Sequence, residues 1–100
     1  MSRVNFSHRY VTQGVNRQLS LDLQLMLWSM IDDTAYPRDE LQVFQLKTLE
    51  ETGILIRHTQ EEPAYEKHVI FKFPSPWALD DRIFVVDNGE YTVMMLSSEY

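Results

Sequence analysis

The chain contains no cysteine. Disulfides and thiolate metal sites are therefore excluded, and a domain of this size has to be held together by packing alone. Glycine is scarce: Gly14, Gly53 and Gly89 each stand isolated, so no glycine-rich loop can cradle a phosphate. No apolar run is long enough to cross a bilayer, and the opening residues, MSRVNFSHRY, lack the apolar stretch of a secretory signal. A cytoplasmic setting without membrane contact is the expectation. Metalloprotease and nucleophile-elbow motifs are missing, as is a cysteine nucleophile. Without internal repeats, low-complexity stretches or a linker, residues 1–100 read as one domain.

What is present suits a folded protein. Hydrophobic residues make up 44% and aromatics 12% of 100 residues, enough for a modest core and too many for a disordered chain. The net charge of −6 is unevenly spread. Arg3, Arg9 and Arg17 meet no acid in the first twenty residues, whereas the remainder is strongly acidic. Overall acidity argues against direct nucleic-acid binding, which needs clustered Lys and Arg. The basic start is most simply read as pairing with the acidic remainder of the same chain.

The clearest local signal is a helix from Leu21 to Asp33. Ser20 is a plausible N-cap, Asp22 suits the positive end of the helix dipole, and strong helix formers follow. Leu23, Met26, Leu27, Met30 and Ile31 form one buried face. Leu21, Leu25 and Trp28 form a second apolar stripe on another side, more than a simple surface helix needs.

The rest reads as strands. Arg9–Gln13 is a short first strand ended by Gly14. Leu41–Thr48 fits either period in part and is taken as a strand; Ile54–Gln60 and Glu66–Phe73 form a hairpin about Pro63. Arg82–Val86 and Tyr91–Leu96 flank Asn88-Gly89, a strong hairpin signal because both residues tolerate positive φ. The whole describes an α+β fold: one main helix packed on a curved, mostly antiparallel sheet of five to six strands, in the order β-α-β-β-β-β-β. With Asn88-Gly89 as the two-residue loop, Phe84, Val86, Tyr91 and Val93 share one face, and Ile83, Val85, Met94 and Leu96 the other. Around Pro63, Ile54, Ile56 and Ile70 share a side, opposite Leu55, Val69, Phe71 and Phe73. Both faces are apolar, yet one helix covers only one. Curvature toward a barrel, a second subunit or a partner has to bury the other.

Centring the first hairpin on Pro63 also sets His58 opposite His68, near Glu61, Glu62 and Glu66. Two imidazoles and a carboxylate can bind zinc, but the strands supply no fixed third ligand, and a cross-strand polar pair is the plainer reading. No metal, cofactor or catalytic residue is expected. The paired acids, such as Asp32-Asp33, Asp39-Glu40 and Asp80-Asp81, fall at element ends, where solvated charge costs little. The candidate partner surface is Leu21, Leu25 and Trp28, with Tyr65 and the loop tryptophan Trp77 as possible aromatic anchors.

The succession RYVTQGV, LQLMLWSMID, LQVFQL, HTQEEPAY and IFVVDNGEYTVMMLSSEY resembles a small Firmicute family known only as domain of unknown function 960. The most specific matches are Leu27-Trp28 with Ile31-Asp32, Gln60-Glu61 with Pro63 and Tyr65, and Val86-Asp87 with Gly89 and Tyr91. The resemblance implies a bacterial origin, often within mobile elements, and one α+β unit. It assigns no functional residue. The expected role is that of a non-enzymatic interaction or regulatory protein, carried by a phage or mobile element, that binds a protein partner or pairs as a homodimer. A second reading is an acidic mimic that occupies the basic groove of a nucleic-acid-binding protein. An enzyme built on a carboxylate or histidine ranks last.

Overall fold

The computed structural model describes residues 8–35, 37–49, 53–72 and 80–100. In chain order these form β1 (Arg9–Val11), α1 (Gln13–Gln18), α2 (Leu21–Asp32), β2 (Leu41–Leu49), β3 (Gly53–Gln60), β4 (Tyr65–Lys72), β5 (Asp81–Asp87), β6 (Thr92–Leu96) and a final 3-10 turn, Ser97–Glu99.

The expected main helix is α2. The Ser20 hydroxyl accepts the Leu23 N–H, as an N-cap should. Before it lies a second helix that the sequence pattern does not predict, and its first residue, Gln13, stands where the first strand is expected to end. β1 stops at Val11, the Thr12 hydroxyl caps α1 by accepting from Val15 N, and Gly14 sits inside the helix. A Cβ on Gly14 would stand 2.7 Å from Glu99 Oε2 and 2.9 Å from Leu96 Cδ1. Glycine is there to admit the end of the chain, not to end a strand. Six residues do not make a stable helix by themselves; the burial of Val15 and Leu19 in the core holds α1 in place.

The sheet is open and six-stranded, ordered β1-β6-β5-β2-β3-β4. Strands β2, β3 and β4 form an antiparallel meander, and β5 returns to the free side of β2, giving a Greek key. β6 pairs antiparallel with β5, and β1 closes the far edge by pairing parallel with β6. Val15 of α1, its C-cap Leu19, and Leu23, Leu27, Met30 and Ile31 of α2 share one cluster with Phe44, Leu46, Ile54, Ile56, Ile83, Val85 and Met94. Both helices therefore lie on one face of the sheet, here called the inner face.

Both hairpin registers differ from expectation, with unequal consequences. Around Gly89, Val86 pairs with Val93 and Asp87 with Thr92, so the turn centres on Gly89-Glu90 and the register moves by two residues. The Asn88 side chain accepts the N–H groups of Glu90 and Tyr91, which places Asn88 before the turn rather than within it. A two-residue shift preserves the faces. Ile83, Val85, Met94 and Leu96 remain inner, and Phe84, Val86 and Val93 outer. Around Pro63, Gln60 pairs with Tyr65 and His58 with Lys67, a shift of one. This exchanges the faces of β4: Val69 and Phe71 join Ile54 and Ile56 inside, while Ile70 turns outward with Leu55.

Candidate functional site

The one-residue shift separates the two histidines. His58 is fully buried on the inner face, stacked on Phe44 with centroids 4.4 Å apart, and its edge meets Tyr65. His68 lies exposed on the outer face beside Glu66, 3.3 Å from its carboxylate. The pair cannot share a metal ion. Burial, then the Lys67 charge across the ladder, push the His58 pKa down to about 4, so the ring is neutral near pH 7.

His58 begins a buried amide chain. Its Nε2 meets Gln42 Oε1 at 2.6 Å. Gln42 Nε2 donates to Gln60 Oε1 at 2.6 Å and to the Asp39 carbonyl at 2.9 Å. Gln60 accepts from Asp39 N and donates to the Pro63 carbonyl. The Asp39 carboxylate takes the N–H groups of Glu62, Leu41 and Glu61, which hold its pKa below the usual carboxylate range. The chain fixes the β3–β4 loop against the start of β2. Sequence reasoning passed over these glutamines, although Gln42 is in step with Phe44 and Leu46, and Gln60 with Ile54 and Ile56.

The proposed partner surface divides. Leu21 and Leu25 are 66% and 56% exposed on α2, as their stripe implied. Trp28 belongs elsewhere: it packs against the core and carries the Arg9 guanidinium 4.7 Å from its ring centroid. Arg9 also pairs with Asp32, which bears out the intrachain pairing expected of that arginine. Asp32 lies at the negative end of the α2 dipole, where the helix has no base of its own. Arg9 supplies the missing charge, and Arg38 donates to the Ile31 carbonyl. Tyr65 is half-buried against His58, a core contact rather than an anchor. Trp77 lies outside the described residues.

Trp28, Ile31 and Val85 floor an open cleft of about 440 Å³, rimmed by Arg9, Arg38, Asp39 and Asp87. Its polar groups largely serve the fold: Arg9 binds Asp32, Asp39 binds loop amides, and Asp87 accepts Gly89 N.

The outer face carries a different pattern. Tyr10, Val93, Val86 and Leu41 form one cross-strand row, and Met95, Phe84 and Val43 the next. Tyr100 meets Phe84 edge-on, and Tyr91 does the same to Tyr10. Beyond these rows the face becomes polar, with Arg82, Gln45, Arg57 and His68 in register across four strands.

The fold and surface describe a small α+β protein with two helices on one side of a six-stranded sheet. The family model for a staphylococcal protein of unknown function, DUF960, matches residues 8–99, and the chain belongs to that family. The crystal structure of a protein of unknown function from Enterococcus faecalis superposes with a TM-score of 0.84 at 25% identity, covering 100% of this chain and 97% of that one. No curated protein matches the sequence. Among the described residues, no helix is long and apolar enough to cross a membrane.

Proposed function

We propose that the chain is a non-enzymatic protein-interaction module whose main contact surface is the outer face of the sheet. One observation carries this reading: the two apolar rows lie on the face opposite both described helices. Leu41, Val43, Phe84, Val86, Val93 and Met95 are half-buried there and Tyr10 is exposed, and contiguous apolar surface of this kind marks an interaction site. Leu21 and Leu25 form a second, smaller surface on the helix layer. The buried, neutral His58 and the engagement of Arg9, Asp39 and Asp87 within the fold support a role without catalysis. The acidic-mimic reading gains less support, because many carboxylates are local acceptors: Asp39, Asp80, Asp87 and Glu99 each hold backbone N–H groups.

The test compares two variants, Val43→Ser/Val86→Ser and Leu25→Ser, each first checked for wild-type melting, in crosslinking and light scattering with staphylococcal extract. Loss of complex in the first variant alone supports the outer face. Equal complex formation by wild type and Val43→Ser/Val86→Ser refutes it.

A further inference from the structure

Strand registers show a segregation of charge that the linear sequence conceals. Side chains alternate between the faces of a strand, so residues in register with Val43 and Phe84 share the outer face. Lys47, Arg57, Lys72 and Arg82 all fall on it. Among the described strand residues, Glu66 is the only acid there, and Arg57 already binds it, through Nε at 3.1 Å and a second nitrogen at 3.3 Å. Lys47, Lys72 and Arg82 form no ion pair with a described residue. In a chain of net charge −6, the described strands thus carry an excess of cations on the outer face, which is also the apolar one, with Asp80 and Asp81 bordering Lys47 and Arg82 at its rim.

We propose that this face binds an acidic amphipathic segment of another protein, an inference that rests on the outer face being the contact surface. Apolar side chains of the segment lie over Val43, Phe84 and Val86, while its carboxylates reach Arg82 and Lys47. The order along the sheet dictates this arrangement, since the cationic row directly adjoins the apolar rows. A second copy placed face to face offers a poor complement: it brings the same cations, and Glu66, the one acid on the described outer strand positions, is already held by its own Arg57. Single-stranded nucleic acid fits less well. The acidic remainder of the chain repels a long polyanion, whereas a short segment carries few charges.

The decisive experiment pans a random peptide library displayed on phage against the full chain, with Val43→Ser/Val86→Ser as the counter-selecting surface. Enriched peptides should combine acidic and apolar residues. A synthetic copy of the best of them should bind at least tenfold more weakly to Lys47→Glu/Arg82→Glu than to wild type, by fluorescence anisotropy in low salt. Raising the salt should weaken binding to wild type far more than to that variant. Enrichment of basic or uncharged peptides, no enrichment, or equal binding by the charge-reversed variant overturns the proposal. So does a dimer abolished by Val43→Ser/Val86→Ser, or binding of an oligouridylate probe lost in Lys47→Glu/Arg82→Glu. If peptide panning fails while Val43→Ser/Val86→Ser still loses its extract partner, the chemistry assigned to the segment is wrong and the contact face stands.

Discussion

His58 and Gln42 meet at 2.6 Å between neighbouring strands, both almost wholly removed from water. Gln42 presents its carbonyl oxygen, because its amide nitrogen is committed to Gln60 and Asp39. The imidazole must therefore carry its proton on Nε2 and donate it. Nδ1 has no partner. A bare acceptor in a buried ring is tolerable only while the ring is neutral.

Acidification should expose this. The folded-state pKa of His58, about 4, lies below its ordinary 6.5, so the unfolded chain takes up the proton first. The resulting stability is complete above pH 6.5 and is lost as pH falls toward 4. Thermal melting followed by circular dichroism should decline across that window in wild type and run flatter in His58→Phe. Equal slopes in the two proteins would show that His58 is not responsible.

The same pair predicts non-additive stabilities. Gln42→Leu strands the His58 N–H and the Asp39 carbonyl, and should cost roughly 2–4 kcal/mol in urea unfolding. Combined with His58→Phe, the loss should be smaller than the sum of the single losses by about 1 kcal/mol or more, since both ends of the bond are then apolar. Strict additivity would mean that the bond contributes nothing to the fold.

Neighbouring leucines of α2 should behave differently. Leu27 is fully buried and Leu25 is 56% exposed. Leu27→Ala should destabilise by about 2–5 kcal/mol, and Leu25→Ala by no more than about 0.5 kcal/mol. Comparable losses in chemical denaturation would contradict the orientation of the helix.

Asp32 should change sign with its surroundings. In wild type its pairing with Arg9 offsets its unfavourable place at the end of α2. Arg9→Gln should cost roughly 1 kcal/mol, combining the lost pair with the lost contact on Trp28. Asp32→Asn added to Arg9→Gln should then recover part of that loss. Tryptophan fluorescence follows the melt, and further destabilisation by the second change would remove the dipole argument.

How far the architecture could be read from residues depends on the range of the forces involved. Ser20 and the Leu23–Leu27–Met30 face made α2 legible because caps and amphipathic periods are local. The surplus of apolar strand residues was equally visible, and the outer rows are where it went. The Gly89 hairpin tolerated an error of two residues without moving a face, whereas one residue at Pro63 put His58 and His68 on opposite sides. Helix α1 was hidden because the reason for Gly14 lies in Leu96 and Glu99, more than eighty positions away. The cationic face was hidden as well, since Lys47, Arg57 and Arg82 become neighbours only once the registers are known.

The parallel pairing of Arg9 with Thr92 has a kinetic consequence. Among the described strands, the first, β1, has its ladder partner in the last, β6. Val15 cannot finish burying itself until Met94 arrives, and Thr12 N waits for the Met94 carbonyl. Contacts between such distant positions slow folding, because a long loop must close before they form. During synthesis the nascent chain therefore holds an open seam along β1 and the start of α1 until β6 is released.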